Sequence, residues 1–249
     1  GYPLIKQAMN QGYEVVEYIQ GNEVKPADHE LIAAKFEVLP GDMEVDDVLS
    51  LMQERIPVFE HVNALQFREI ILDSNVHVFK KGELIFQRND YTNSFYTVYE
   101  GDVEIEAAKD LRILSKQGSF FGEMSLLSGR RRSATVFAGD NCIVIETPRR
   151  TMNKLISSVD AVKRVLDQTF IVRTIQQKFA PDNSIEELMP VAENTVINEF
   201  KPGEVIFAEG DKGDTLHFIR SGSVTISSSQ QGKDVIMSYV PANQAVGEM

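Results

Sequence analysis

The sequence predicts an α+β, mainly β chain: two β-barrels in tandem flanked by helices, with the second barrel incomplete. Three observations carry this expectation. The hydrophobic period falls from about 3.6 to about 2 near Val76 and returns to the helical value near Pro148. A motif around Gly82 returns around Gly203, an offset of 203 − 82 = 121. The length, 249 residues, allows one large domain or two modest ones.

Along the chain, Leu4, Ile5, Ala8, Gly12, Val15, Val16 and Ile19 recur at helical spacing until Gly21 and Pro26 end the pattern. A second short helical stretch ends near Phe36. Two short helices build no core alone, so residues 1–40 are expected to pack on the next module, on a partner or, as the tail of an upstream domain, on that domain. Pro40-Gly41 marks a boundary. Val45, Val48, Leu49 and Met52 then form a helix face, and Asn63 is placed to cap the helix carried by Leu65, Phe67, Ile70 and Ile71. From Val76 to Glu146, short apolar runs broken by Gly, Asn and Asp read as the strands of a sandwich or barrel. Met152, Leu155 and Ile156 make a short helix. Asp160 is a good N-cap for the next one, with Val162, Val165, Leu166 and Thr169 along one side and Ile171, Ile175 and Phe179 on an adjacent stripe. Pro181-Asp182-Asn183 stops it. The expected division is 1–40, 41–180 and 181–249.

Composition excludes several classes. Hydrophobic residues at 43% and charged residues at 25% suit a folded soluble chain. The formal charge of −12 repels phosphate backbones and anionic lipid heads, so nucleic acid and membrane are not expected partners. The single cysteine, Cys142, forbids an internal disulfide framework, and the four scattered histidines show no ligand spacing, so no metal site is expected. No apolar run approaches the roughly 18 residues of a membrane span. No signal peptide is visible at Gly1, and a cytoplasmic location is expected.

The repeat is the most informative feature. Phe79-Lys80-Lys81-Gly82-Glu83-Leu84-Ile85-Phe86 matches Phe200-Lys201-Pro202-Gly203-Glu204-Val205-Ile206-Phe207. The offset holds without gaps through Asp90/Asp211, Gly101/Gly222, Val103/Val224 and Ile105/Ile226. After a loop longer by four residues, Gly122-Glu123-Met124 matches Gly247-Glu248-Met249. Gly82 and Gly203 sit where a turn can demand positive φ, and Gly101 reads as a hairpin turn. Each unit is expected to be one barrel. The second stops just after its Gly-Glu, and Gly1 stands without an initiating Met, so the chain reads as a piece of a longer one.

The chemistry concentrates in Phe121-Gly122-Glu123-Met124-Ser125-Leu126-Leu127-Ser128-Gly129-Arg130-Arg131-Arg132-Ser133-Ala134-Thr135-Val136. Gly122 permits close backbone approach. Met124-Ser125-Leu126-Leu127 is one turn of helix whose N–H groups face what precedes it. Arg132 follows Glu123 by nine residues, and its planar fork suits a phosphate. A carboxylate beside a phosphate site makes sense when it accepts from a hydroxyl of the same ligand. Phosphate and sugar hydroxyl together suggest a nucleotide.

This segment resembles the phosphate-binding cassette of cyclic nucleotide-binding domains, the family of protein kinase A regulatory subunits and the bacterial catabolite activator protein. Gly122, Glu123, Leu126, Arg132, Ser133 and Ala134 meet the cassette pattern. The resemblance covers about residues 44–180 as one module and 184–249 as the front half of a second. It implies tandem jelly-roll barrels, and a ligand, cAMP ahead of cGMP, held at Gly122, Glu123, Met124, Ser125, Arg132, Ser133 and Ala134, with Gly247 and Glu248 in the second module. Glu123 would accept from the ribose 2′-hydroxyl and Arg132 would pair with the exocyclic phosphate oxygens. The backbone N–H groups of Gly122 and Ala134 would add to them. Ser133 departs from the Ala of the kinase regulatory subunits and leaves the choice of nucleotide open. No aromatic lid is assigned; the helix after Asp160 or the second module would have to supply a cover.

The implied function is a sensor that relays ligand binding to an effector domain in the same chain or a partner protein, with a homodimer as a further possibility. No catalytic residue and no cofactor are expected in these residues. The Gln7-Ala8-Met9-Asn10-Gln11-Gly12-Tyr13-Glu14-Val15-Val16-Glu17 stretch is similar to the last helix of flavin-dependent reductases of the thioredoxin-reductase type, which implies a reductase upstream. A kinase is the other effector considered, and a fold that has lost ligand binding is the third alternative. A transcription regulator ranks last, because no helix-turn-helix follows the barrel. Arg130 and Arg131 read as surface residues. Arg130-Arg131-Arg132-Ser133 also fits a basophilic kinase site, although the cassette uses the same residues. Cys142, His77 and His217 read as structural.

Overall fold

The structure, a computed structural model, describes Ser50 and residues 53–108, 111–230 and 233–247. The helices expected in the first 40 residues and the face of Val45, Val48, Leu49 and Met52 lie outside the described residues.

A 3-10 turn, Pro57–Phe59, leads to helix α1, Ala64–Asp73. The Asn63 side chain accepts from the Gln66 N–H at 2.9 Å, as its position before the apolar run requires. Eight strands follow: β1 Asn75–Phe79, β2 Leu84–Phe86, β3 Phe95–Glu100, β4 Asp102–Ala108, β5 Leu111–Lys116, β6 Phe120–Phe121, β7 Thr135–Ala138 and β8 Cys142–Thr147. Helix α2, Glu123–Ser128, interrupts them between β6 and β7. The strands form two four-stranded antiparallel sheets, ordered β1-β8-β3-β6 and β2-β7-β4-β5. Together they make the sandwich that the period-2 runs predict, in the jelly-roll form that the resemblance implies.

Phe86, Val98, Val103, Phe121, Val136, Cys142 and Val144 fill the space between the sheets. The opposite face of the first sheet is covered by helices: Phe95, Tyr99, Ile143 and Ile145 pack with Phe59, Phe67, Met152 and Leu166. Alternate residues of β3 and β8 therefore enter different cores. That is why Ile143-Val144-Ile145 is apolar without alternation.

Helix α3, Arg149–Ser158, and the 19-residue helix α4, Asp160–Lys178, close the first unit. Val159 is the N-cap of α4, and Asp160 is its first residue rather than its cap. The acidic side chain there still complements the helix dipole. Helix α5, Ile185–Glu193, begins with a capping box, in which the Ser184 and Glu187 side chains each accept from the other's backbone N–H.

The second unit contributes β9 His217–Phe218, β10 Ser223–Gln230, β11 Lys233–Pro241 and β12 Ala245–Val246. Its repeat relation is visible bond by bond. β9 pairs His217 with Val246 and Phe218 with Ala245, as β3 pairs Tyr96 with Phe121 and Thr97 with Phe120. Glu204 accepts from the Lys201 N–H at 2.8 Å, as Glu83 does from Lys80 at 2.8 Å. The match stops at Phe200 and Val205–Phe207. Their counterparts lie in β1 and β2, but these residues form no strand here. β1 pairs with β8 and β2 with β7, and no strand among the described residues of the second unit corresponds to β7 or β8. A strand without a ladder partner leaves its backbone groups to water.

Candidate functional site

β6 runs into Gly122, whose φ of +87° turns the chain sharply into α2. A Cβ on Gly122 would sit 2.5 Å from Arg132 Nη1 and 3.0 Å from the Ser94 carbonyl oxygen. Glycine is thus required both by the backbone angle and by the approach of the guanidinium.

Arg132 is 1% exposed, an unusual state for a charged group. Its Nε donates to Thr92 Oγ1 at 2.7 Å, Nη2 to the Ser94 carbonyl at 2.7 Å and Nη1 to the Gly122 carbonyl at 3.3 Å. The guanidinium lies over the Phe86 ring, 4.1 Å from its centroid. All three acceptors are neutral. Among the described residues no carboxylate lies within ion-pair distance of it. Burial lowers the pKa of Arg132 from its usual value, and the nearby Tyr96, Glu123, Glu146 and Asp90 oppose the shift. A buried cation held by neutral oxygens is a demand for an anion.

Glu123 is fully buried in the first turn of α2. Its Oε2 accepts from Arg173 Nη1 at 2.6 Å, and Arg173 Nη2 donates to the Phe120 carbonyl at 2.9 Å. Its Oε1 has no hydrogen-bond partner, and neither does the buried Ser125 Oγ beside it. Two orphaned polar atoms in one site call for a donor and an acceptor from outside.

Gly122, Glu123, Met124, Ser125, Arg132, Ser133 and Ala134 all line one pocket. Phe86, Ile105, Ile113, Phe121 and Val136 add hydrocarbon, and Arg173 and Gln177 of α4 form a wall. The space, counted out to its open mouth and including solvent there, is about 400 Å³. Two guanidiniums and one carboxylate give this lining a net charge of +1. In the second unit Gly247 follows β12 with φ +90°, as Gly122 follows β6; Glu248 lies outside the described residues.

Sequence reasoning missed Arg173, which lies fifty residues from Glu123. The available signal was a cation interrupting the apolar face of α4 between Phe170-Ile171 and Ile175. Arg130 and Arg131 are exposed, and Arg131 donates to the Asn89 carbonyl at 3.1 Å. His77 is tied to Glu146 at 2.8 Å, and His217 stacks on Phe207. Cys142 is buried between the sheets, which pushes its thiol up to about 11. Among the described residues no cluster of His, Cys, Asp and Glu has the arrangement of a metal site, and no helix is long and apolar enough to cross a membrane.

The family model for the cyclic nucleotide-binding domain matches residues 76–159 and 197–249, more than half of the chain. A cGMP-dependent protein kinase of Plasmodium berghei is 28% identical over 174 residues, which are 66% of this chain and 19% of that protein. A Rhodopseudomonas palustris protein provisionally named a potassium channel protein is 32% identical over 126 residues, 49% of this chain and 31% of its own length. This chain thus spans less than a third of either relative. Among solved structures, it resembles the regulatory domain of Toxoplasma gondii PKA with cAMP, at 18% identity and a TM-score of 0.42, over 91% of this chain and 82% of that one. Domains of this family regulate rather than catalyse. The chain belongs to the cyclic nucleotide-binding domain family, which its sequence matches twice.

Proposed function

We propose that the first unit binds a purine cyclic nucleotide in the pocket of Arg132 and Glu123 and passes occupancy to the second unit and to an attached effector. The observation that carries this reading is Arg132, buried among neutral acceptors and sharing a pocket with the unpartnered Oε1 of Glu123. Arg132 meets the cyclic phosphate, a monoanion matching the net charge of the lining. Glu123 Oε1 accepts from the ribose 2′-hydroxyl, while the Ser125 and Ser133 hydroxyls and the N–H groups of Gly122 and Ala134 complete the cradle. Charge-assisted hydrogen bonds contribute about 1.5–3 kcal/mol each, so a few of them with base burial reach the roughly −8 kcal/mol of micromolar binding. We keep cAMP ahead of cGMP. What supports that order is the lining left once Arg132, Glu123 and Ser125 are given to phosphate and ribose: Phe86, Ile105, Ile113, Phe121 and Val136 are hydrocarbon, so guanine's extra donor and acceptor groups would depend on Ser133, Arg173 and Gln177.

The relay runs through α4. Arg173 ties this helix to Glu123 at 2.6 Å. The same helix and its C-cap hold the second unit through Asp167 to Arg220 at 2.6 Å, Lys178 to Gln244 at 3.1 Å and an edge contact of Phe179 on Phe218. Met124 lines the pocket and also packs in the α4–α5 core that Phe218 touches. A ligand that favours one position of Glu123 biases α4, and with it the contact between units. We take 41–180 as the first module and the residues from 181 as the second. As the effector we put a kinase ahead of a reductase, a preference supported by the similarity to a cGMP-dependent protein kinase. A sensor of this messenger works in the cytoplasm.

Isothermal titration with cAMP and cGMP tests the reading. Arg132→Ala is expected to lose at least about 2 kcal/mol, some thirtyfold in Kd, because an anion would then face no cation. Equal affinity in the variant removes Arg132 from the site.

A further inference from the structure

The geometry points to Thr92 as the positioning residue for Arg132: its hydroxyl is part of a neutral clamp that aims the guanidinium without cancelling its charge. This rests on the reading of the pocket as an anion site.

Thr92 lies in the loop between β2 and β3 and is exposed, so no core depends on it. Its Oγ1 nevertheless turns inward and accepts from Arg132 Nε at 2.7 Å. Two residues on, the Ser94 carbonyl takes one proton of Nη2. The loop also grips the backbone of Arg132. The Asn89 N–H donates to the Arg132 carbonyl at 2.9 Å, and the Arg132 N–H donates to the Asp90 carbonyl at 3.1 Å. The reversal this needs is made at Asn89, with φ +72°. A guanidinium has five N–H donors. With Nε on Thr92, one Nη2 proton on Ser94 and one Nη1 proton on Gly122, one donor remains on each terminal nitrogen. Those two remain available to the oxygens of a phosphate.

The loop's charge is equally informative. Its single carboxylate, Asp90, accepts from the Gln87 N–H at 2.8 Å and shapes the turn. The second unit repeats that turn, with Asp211 accepting from the Ala208 N–H at 2.8 Å. At the position of Thr92, however, it has Gly213, which has no hydroxyl, and at the position of Asn93 it has Asp214. The two units therefore share the turn and differ in the clamp. A carboxylate against Arg132 would compete with the incoming anion; a hydroxyl fixes direction only.

The test compares Thr92→Val, which keeps the shape and removes the acceptor, with Thr92→Ser, which keeps the acceptor. Affinity for cAMP and for cGMP is read by titration, thermal midpoint by calorimetry, and solvent exchange of the Arg132 Nε proton by NMR. The expected result is about tenfold weaker binding for T92V, within about twofold of wild type for T92S, unchanged midpoints in both, and faster Nε exchange in T92V alone. T92V binding like wild type, T92S as weak as T92V, or a T92V loss that follows a lowered midpoint would each overturn the assignment. A wild-type protein that binds neither nucleotide would remove the pocket reading instead, and the Nε exchange would still decide whether Thr92 holds Arg132.

Discussion

The two units share their turns and differ in what those turns touch. Gly82 and Gly203 have φ of +82° and +84°, Gly101 and Gly222 have +74° and +77°, and Gly122 and Gly247 have +87° and +90°. The backbone plan is thus the same at three places. Yet a Cβ on Gly101 would meet the Asp140 carbonyl oxygen at 2.1 Å, whereas one on Gly222 meets nothing within 4 Å. Residues 140 and 141 belong to the turn between β7 and β8, the strands with no counterpart in the second unit's described residues. The sequence repeat encodes the turns locally; closure of the sandwich comes from strands far away in the chain.

The largest effect that follows is on stability. Gly101→Ala forces a Cβ into two carbonyl oxygens, at 2.1 and 2.4 Å, that cannot both retreat without opening the β7–β8 turn. A loss of at least about 3 kcal/mol is expected, against about 1 kcal/mol of pure backbone strain for Gly222→Ala. Amide hydrogen exchange, read separately over each unit, checks this. Equal losses would show that the twin glycines are constrained by φ alone.

The next effect separates binding from folding. Gly122→Ala places a methyl 2.5 Å from Arg132 Nη1, a movable side-chain atom, whereas Gly247→Ala places one 2.8 Å from the Thr215 carbonyl oxygen. The first change is expected to displace the guanidinium and weaken cAMP binding about tenfold or more. The second is expected to loosen the β9–β12 pairing and leave binding in the first unit unchanged. Titration of both variants checks the pair. A binding loss for Gly247→Ala would mean that the second unit shapes the first pocket directly.

How much of this was legible follows from the range over which each feature is determined. Asn63, Gly101 and the turn at Gly82 are local, and their residues announced them. The cassette is also local: Gly122 to Ala134 is one continuous segment, so the spacing of Gly122, Glu123 and Arg132 was visible and the resemblance implied the other members. Arg173 and Thr92 were not legible. Each reaches the site by folding across forty or fifty residues, and neither belongs to a local pattern. The loss of strand character at Phe200 and Val205–Phe207 has the same origin. Their composition matches β1 and β2, but a strand is completed by its partner. The N-cap of α4 moved by one residue because the dipole favours an acidic side chain in the first turn as well as at the cap.

The smallest effect is electrostatic and again sets one unit against the other. Glu146 on β8 is buried enough to raise its carboxyl. Hydrogen bonds from Ser94, His77 and Tyr96, with attraction to His77, outweigh this and hold it below the ordinary 4.5. A carboxylate with a depressed folded pKa contributes stability that is present above its unfolded value and lost as pH falls through the folded one. The first unit should therefore loosen as pH drops below about 4.5, where unfolded carboxylates begin to bind protons that folded Glu146 still refuses. Glu146→Gln removes that contribution, so its stability should fall less steeply over the same interval, with the two proteins converging at the acid end. The second unit has no counterpart of β8 among the described residues, so its exchange rates should show no such difference between wild type and variant. If Glu146→Gln leaves the acid slope of the first unit unchanged, the carboxylate's network with His77, Tyr96 and Ser94 contributes nothing to holding β8 between β1 and β3.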